Sequence, residues 1–187
     1  MTTNIYLVRH AHSTYTPDEL NRPLSAEGIK DAAKVNEVLI NENIEHVISS
    51  PYLRAIQTVE GLASALGQDI HIMDDFKERK LIEGGAENFE EAIHKVWAHP
   101  SFSWEGGESN INAQQRGVRA LNNVLEQYKN KNVAIGTHGN IMVLTMNYFD
   151  KQHDFDFWKK LAMPDIYRLS FEANQFVDCK RIWKGSN

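Results

Sequence analysis

Short runs of β-forming residues alternate along the chain with longer segments of helical periodicity, and this alternation restricts the possible folds most strongly. Strands that alternate with helices pair in parallel, and the helices then cover both faces of the sheet. The sequence therefore predicts an α/β protein, a three-layer α/β/α sandwich with a mostly parallel central sheet. The predicted strands are 4–8, 44–49, 69–73, 132–137, 166–171 and 176–182, and the predicted helices are 25–41, 51–66, 88–98, 108–128, 141–149 and 153–161.

Two of the predicted helices begin with recognisable signals. Ser25 is predicted to be the N-cap of the first helix, and Ser50 followed by Pro51 predicts a capped start for the second. Arg54 then falls near the first turn of the second helix, where unpaired backbone N–H groups and the helix dipole favour an anion. The first helix is predicted to bury a stripe formed by Ile29, Ala32, Ala33 and Leu39.

Length and cysteine content fit one compact unit. With 187 residues and 42% hydrophobic content, the chain can bury a core without disulfides or a structural metal. We therefore predict a single domain over residues 1–187. The single cysteine, Cys179, excludes an internal disulfide and fits a reducing compartment.

Charge and hydropathy argue against two classes of partner. Twenty basic and 25 acidic residues give a net charge of −5, so no basic field favours nucleic acid or an anionic membrane. No apolar run approaches membrane-spanning length, and no signal-peptide pattern precedes the first strand. We expect a cytoplasmic protein without nucleic acid or membrane partners, and nothing in the sequence indicates its oligomeric state.

Cationic and imidazole side chains follow three of the predicted strands. The first strand ends at Arg9-His10, the second is followed by Arg54, and the strand at 132–137 is followed by His138. Ligands of open α/β sheets bind at the carboxyl ends of the strands. We therefore expect two arginines and two histidines to converge on one edge of the sheet.

Such a cluster suits transfer of a phosphoryl group. Guanidinium groups bind phosphate oxygens as a bidentate fork, and a neutral imidazole nitrogen can attack phosphorus. Hydrolysis of a monoester further requires a carboxylic acid that protonates the leaving oxygen and then deprotonates water. These groups would supply the reaction without a metal ion, for a small phosphorylated substrate that the sequence does not identify.

Four ordered segments resemble the signature segments of the histidine phosphatase superfamily, also called phosphoglycerate mutase-like. The resemblance covers nearly the whole chain and implies the fold and the phosphomonoesterase activity of that superfamily. The segment at about 74–108, where the pattern loosens into charged residues and glycines, is expected to be an excursion that covers the active site. The segments are Leu7-Val8-Arg9-His10-Ala11, Ser49-Ser50-Pro51-Tyr52-Leu53-Arg54-Ala55, Gly107-Glu108-Ser109 followed by Arg116, and Thr137-His138-Gly139.

The resemblance also implies roles for individual residues. His10 corresponds to the nucleophile that forms a phosphohistidine, and three groups bind and stabilise the phosphoryl group, namely Arg9, Arg54 and His138. Glu78 corresponds to the proton donor, and Glu83 is the alternative to it.

Three further residues near these segments have open roles. Asn140 resembles a phosphate contact of mutase-like members and could equally be a helix N-cap. Ser13 is a candidate phosphate donor or a residue that shapes the turn. His12 stands where many members of the superfamily carry an acidic residue or an amide, so it faces either the pocket or solvent.

Three other functions are compatible with parts of the pattern. A phosphoglycerate mutase dependent on 2,3-bisphosphoglycerate would use the same histidines, but those mutases share a Trp-Asn pair where this chain has Tyr15-Thr16. A metallohydrolase could use His10 and His12 with His138 and Asp18, although neighbouring arginines would repel a dication. A non-catalytic phosphate-binding module would not need the candidate acid.

Overall fold

The structure is a computed structural model that describes residues 1–185. Its twelve main elements match the six predicted strands and six predicted helices, with shifts of a few residues at their ends. The strands are β1 (Thr2–Arg9), β2 (His46–Ser49), β3 (Ile70–Ile72), β4 (Asn132–Thr137), β5 (Asp165–Glu172) and β6 (Gln175–Arg181). The helices are α1 (Ala26–Leu39), α2 (Leu53–Leu66), α3 (Phe89–Ala98), α4 (Asn110–Gln127), α5 (Gly139–Phe149) and α6 (Phe155–Lys160).

The six strands form one sheet in the order β3-β2-β4-β1-β5-β6. The four strands from β3 to β1 run parallel, and β5 and β6 add an antiparallel hairpin at the β1 side. Parallel neighbours need a crossover connection, which the intervening helices provide. The predicted α/β fold with a mostly parallel sheet is confirmed.

Residues of the central strands point alternately to the two faces of the sheet, as the pleat requires. On one face, Leu7 of β1 and Ile135 of β4 pack against α4 and α5. On the other face, Tyr6 and Ala134 pack against α1 and α2. Because the strands are buried on both faces, the sheet forms the middle layer between two layers of helices.

The first helix begins as predicted, but of its predicted stripe it buries only Leu39 fully. The Ser25 side chain accepts a hydrogen bond from the backbone N–H of Gly28 and caps α1. Ile29 is 60% exposed, and the buried positions of α1 are Gly28, Asp31, Val35 and Leu39. A Cβ atom on Gly28 would lie 2.0 Å from the carbonyl oxygen of His12, so the close approach of the loop after β1 turns this face inward.

The start of the second helix differs from the prediction. The helix α2 begins at Leu53, Tyr52 occupies the N-cap position, and no side chain caps it. Ser50 lies before the helix, and its hydroxyl oxygen accepts a 3.3 Å hydrogen bond from the backbone N–H of Tyr52 and lies 2.7 Å from His138. Arg54 nevertheless lies in the first turn of α2, as predicted.

Every helix within residues 1–185 is too short or too polar to cross a lipid bilayer.

Candidate active site

His10 lies directly after β1 and is nearly buried, with 8% of its surface exposed. Its backbone N–H donates to the carbonyl oxygen of Thr137, which fixes it beside the end of β4. Its ring Nδ1 lies 2.7 Å from the carbonyl oxygen of Ala11. Since a carbonyl only accepts, Nδ1 carries the proton and the lone pair is on Nε2.

The electrostatic surroundings keep the His10 imidazole neutral. The pKa of His10 is lowered from 6.5 to about 3, mainly by burial and also by the charges of Arg54, Arg9 and Arg22, whereas the hydrogen bond to the Ala11 carbonyl raises it. A neutral imidazole that carries its lone pair on Nε2 is the nucleophilic form of histidine.

Arg54 reaches His10 from the first turn of α2. Its Nε–H donates to His10 Nε2 at 3.3 Å, so its guanidinium lies beside the position of the lone pair. Its other nitrogens donate to the backbone oxygen of Glu19 at 2.9 Å and to the Glu19 carboxylate at 3.1 Å. Burial is the main cause that lowers the pKa of Arg54, which still remains a cation at neutral pH.

His138 follows β4 and is fully buried, with its ring centroid 5.2 Å from that of His10. Its Nε2 lies 2.7 Å from the hydroxyl oxygen of Ser50. Its Nδ1 is buried and has no hydrogen-bond partner within residues 1–185. Burial, with the nearby charges, lowers the pKa of His138 well below 6.5.

The hydroxyl of Ser50 therefore orients His138 instead of capping α2. The backbone N–H of Ser50 donates to the carbonyl oxygen of Gly136, which places Ser50 at the end of β4 beside His138. The two residues are 88 positions apart in the chain. The Ser50-Pro51 pair has the local pattern of a helix cap, so the sequence did not indicate the contact between Ser50 and His138.

Arg9 is anchored on the opposite side of the histidines. Its Nη1 donates to the carbonyl oxygens of Leu161 and Ala162 at 3.0 Å each. Its Nε is buried without a partner in the described part of the chain. A Cβ atom on Gly139 would lie 3.0 Å from that Nε, so glycine after His138 leaves room for the guanidinium.

Glu78 lies at the N-terminus of α5, immediately beside His138. Its two carboxylate oxygens accept hydrogen bonds from the backbone N–H groups of Arg79, Asn140 and Ile141 at 2.8–3.0 Å. A carboxylate at a helix N-terminus satisfies unpaired N–H groups and interacts favourably with the helix dipole. Its charge is close enough to Arg9 to raise the pKa of that arginine against the effect of burial.

Glu83, the alternative acid, is exposed and forms an ion pair with Lys80 on the surface. Asn140 does not cap α5, because its side-chain oxygen accepts from Arg79 Nη2 at 3.2 Å. Ser13 forms an isolated antiparallel bridge with Leu24.

His12 is exposed, and its Nδ1 lies 2.8 Å from the hydroxyl oxygen of Ser25. The residue therefore packs on the start of α1. Asp18 accepts hydrogen bonds from Leu20 and Asn21 within its own loop. Within residues 1–185, no group of three or more histidine, cysteine, aspartate or glutamate residues is arranged to hold a metal ion.

Arg79 is a site residue that the sequence patterns did not single out. It is 3% exposed, its Nη1 donates to Asn110 at 2.7 Å, and its Nη2 donates to Asn140. These two amide oxygens are its hydrogen-bond acceptors among the described residues, and its Nε has none. Arg79 thus links the N-terminal turns of α4 and α5. The sequence alone did not indicate this role, because Arg79 lies within a run of charged residues.

Comparison with known proteins gives the family. The model of the histidine phosphatase superfamily, branch 1, matches residues 5–180. The chain belongs to the histidine phosphatase superfamily. The family resemblance of the sequence motifs is thereby confirmed, and the fold class agrees with it.

Relatives within the histidine phosphatase superfamily include both phosphatases and mutase-like proteins. The uncharacterized phosphatase PhoE of Bacillus subtilis is 28% identical over 142 residues, covering 73% of this chain and 72% of PhoE. Phosphoglycerate mutase-like protein 4 of Arabidopsis thaliana is 28% identical over 154 residues, covering 74% of this chain and 67% of that protein.

A solved structure with the same architecture is that of the phosphoserine phosphatase of Entamoeba histolytica. It superimposes with a TM-score of 0.77 at 19% identity, and 94% of each chain is covered. That protein has been crystallised with phosphoserine and with 3-phosphoglyceric acid. At this identity the similarity describes the fold.

We predict that His10 makes stability depend on pH below neutrality. Its folded pKa of about 3 lies below the unfolded value of 6.5, so the unfolded chain binds more protons between these values. The stability that His10 contributes is present above pH 6.5 and is lost as the pH falls towards 3. Within this window, one such group changes the free energy of unfolding by about 1.4 kcal/mol per pH unit.

The measurement is urea unfolding of the wild type and of His10→Asn at several pH values inside that window. Carboxylates contribute to both curves, so the difference between the two slopes isolates His10. The slope of the variant should be smaller by about 1.4 kcal/mol per pH unit. Equal slopes would show that His10 titrates normally in the folded protein.

We also predict that Arg79 stabilises the ends of two helices. Arg79→Ala leaves the buried Asn110 side-chain oxygen without its donor, which should lower the free energy of unfolding by about 1–3 kcal/mol. The matched control is Arg119→Ala, an exposed arginine of α4, which should change it by less than about 0.5 kcal/mol. Equal losses in urea unfolding would contradict the role of Arg79.

Proposed function

We propose that the protein is a phosphomonoesterase that forms a phosphohistidine on His10. The observation that carries the proposal is a neutral imidazole whose Nε2 lone pair faces the guanidinium of Arg54, with His138 beside it. The membership in the histidine phosphatase superfamily and the similarity to PhoE support a phosphatase. The proposed substrate is a small phosphorylated molecule, and the chain that binds it forms a single domain.

In the first step, His10 Nε2 attacks phosphorus and the bond from phosphorus to the ester oxygen breaks. Arg9, Arg54 and His138 stabilise the charge on the equatorial oxygens, which is the largest contribution to such catalysis. The positive charge that develops on the imidazole is stabilised by the Ala11 carbonyl, which already accepts from Nδ1. Ser13 and Asn140 are proposed as further phosphate contacts.

We assign proton transfer to Glu78. In its protonated form, Glu78 gives its proton to the leaving alcohol as the ester bond breaks. The resulting carboxylate then takes a proton from a water molecule, which attacks phosphorus, breaks the P–N bond and releases phosphate and free His10. The position of Glu78 beside His138 supports this assignment over the exposed Glu83.

The proposed chemistry uses side chains alone, with neither a metal nor an organic cofactor. We further propose that the excursion at 74–108, which carries Glu78, forms a wall of the site. The mutase alternative is not favoured, because this chain has Tyr15-Thr16 in place of the Trp-Asn pair and because Tyr15 is exposed. The cytoplasmic location stays a prediction that rests on the single cysteine, Cys179.

The proposal predicts a covalent phosphoenzyme that is labile in acid and stable in base. The protein is mixed with a phosphate ester, quenched rapidly in alkali and examined by mass spectrometry. His10→Ala should give no phosphoenzyme and no phosphate release, whereas the exposed control His71→Ala should behave as the wild type. An alkali-labile adduct, or turnover that persists in His10→Ala, would rule out His10 as the nucleophile.

We predict that Glu78→Gln slows esters according to their leaving group. An alkyl phosphate needs protonation of the leaving oxygen, so its kcat should fall about 10²–10⁴-fold. Since 4-nitrophenolate leaves without a proton, the kcat for 4-nitrophenyl phosphate should fall much less in Glu78→Gln.

The glutamine also places an NH2 group against a backbone N–H that now donates to Glu78, so some loss of stability is expected in this variant. That loss affects both esters alike, and the ratio of their rates therefore reports on proton transfer. Glu83→Gln is the matched control and should leave the ratio unchanged. Equal losses on the two esters would contradict the role of Glu78.

A further inference from the structure

A pocket of about 760 Å³ opens beside Arg9, between α3 and α6. Arg9 is the lining residue that also belongs to the cluster of His10, Arg54 and His138, so the pocket adjoins this cluster at Arg9. The other lining residues come from the start of α3 and from α6, and they are Asn88, Phe89, Glu90, Glu91, Ile93, His94, Phe155, Trp158, Lys159 and Leu161.

Aromatic rings form much of this pocket. The rings of Phe155 and Trp158 stack with their centroids 5.6 Å apart and their planes at 9°. The rings of His94 and Phe155 are T-shaped with their centroids 5.7 Å apart, and Phe89 is 54% exposed at the start of α3. An apolar or aromatic ligand gains free energy by covering such rings, because each ring carries a large hydrophobic surface with favourable stacking geometry.

The charges of the pocket disfavour a ligand with a second anionic group. Glu90 and Glu91 line it as exposed carboxylates, and neither forms an ion pair among residues 1–185. Lys159 is already paired with Asp156 at 2.6 Å and lies over the Phe155 ring. Arg9 is the remaining lining cation, and it belongs to the phosphate cluster. A carboxylate on the ligand would therefore meet two like charges without a free cation.

We propose that this pocket binds the leaving group of the substrate, and that this group is an aromatic or apolar alcohol without a second anionic group. The inference rests on the proposed phosphomonoesterase function and names the substrate class of the same site. It separates this chain from the Entamoeba histolytica phosphatase, which has been crystallised with phosphoserine and with 3-phosphoglyceric acid. Both of those ligands carry a carboxylate besides the phosphate.

The first test compares 2-phenylethyl phosphate with its 4-carboxyphenyl analogue. The carboxylate is remote from the ester oxygen, so the two esters have similar intrinsic reactivity and differ in charge. We expect the kcat/KM of the wild type to be about tenfold higher for the ester with the uncharged ring than for the carboxylated ester. The double variant Glu90→Gln/Glu91→Gln should bring this ratio close to one.

The matched control for the double variant is Glu126→Gln, an exposed glutamate of α4. It lies near the end of α4, which precedes the amino end of β4 and is remote from the pocket. This control should keep the wild-type preference. If the wild type does not discriminate between the two esters, or if the double variant retains the preference, the proposed charge selection is wrong.

The second test probes the aromatic wall. Trp158→Ala should lower kcat/KM for 2-phenylethyl phosphate about tenfold more than for ethyl phosphate, because only the larger ester reaches the ring. Tyr148→Ala removes an exposed aromatic of α5 outside the pocket and should not change that ratio. Equal losses of kcat/KM for both esters in Trp158→Ala would show that the aromatic rings of the pocket do not bind the leaving group.

Failure of the proposed function is distinguished by measuring binding without turnover. His10→Ala is titrated with the two phenylethyl esters in a calorimeter. A preference for the uncharged ring in this variant supports the pocket assignment even if the wild type releases no phosphate from any ester. Hydrolysis that depends on His10 but shows no preference in rate or binding overturns the pocket assignment and leaves the phosphomonoesterase in place.

Discussion

The candidate site depends on the parallel pairing of β4 with its neighbours β1 and β2. In this register Arg9 lies opposite Thr137, and Ser49 lies opposite Gly136, so the three strands end within one residue of each other. The next residues are His10, Ser50 and His138, which the sheet itself brings together. A shift of one strand by one residue would turn its side chains to the opposite face and separate the histidines. The helices complete the cluster, since Arg54 and Glu78 reach it through the N-terminal ends of α2 and α5.

Burial shapes the electrostatics of this cluster more than any single ion pair. Burial is the main cause that lowers the pKa of both histidines, so the two imidazoles remain neutral and only the guanidiniums carry positive charge. Two protonated imidazoles this close would repel each other and the arginines. Two buried nitrogens of this cluster, Arg9 Nε and His138 Nδ1, have no hydrogen-bond partner among residues 1–185. The site therefore has hydrogen-bonding capacity for an anion in the same place as its excess of positive charge.

Local patterns predicted the elements and the edge of the sheet, because strand and helix periodicity and the end points of strands are properties of neighbouring residues. They did not predict contacts between distant segments. Ser50 has the local signature of a cap, but its partner is His138, and Arg79 becomes a buried link only when α4 and α5 meet above it. Of the stripe predicted for α1, Leu39 is buried, but Ile29 turns to solvent because the loop carrying His12 packs on Gly28. In each case tertiary packing selected between options that the local sequence left equal.

The contact between Glu19 and Arg54 has a consequence for how an anion enters the site. Glu19 is held by its own loop, so its carboxylate is an intramolecular competitor with a high effective concentration at the guanidinium. A phosphate oxygen that takes the hydrogen bond from Arg54 Nη2 must exchange with this carboxylate. The free energy of phosphate binding then reflects the gain of a contact between Arg54 and phosphate minus the loss of the contact between Arg54 and Glu19. The same exchange assists product release, because the returning Glu19 carboxylate can displace inorganic phosphate from Arg54 at the end of each turnover.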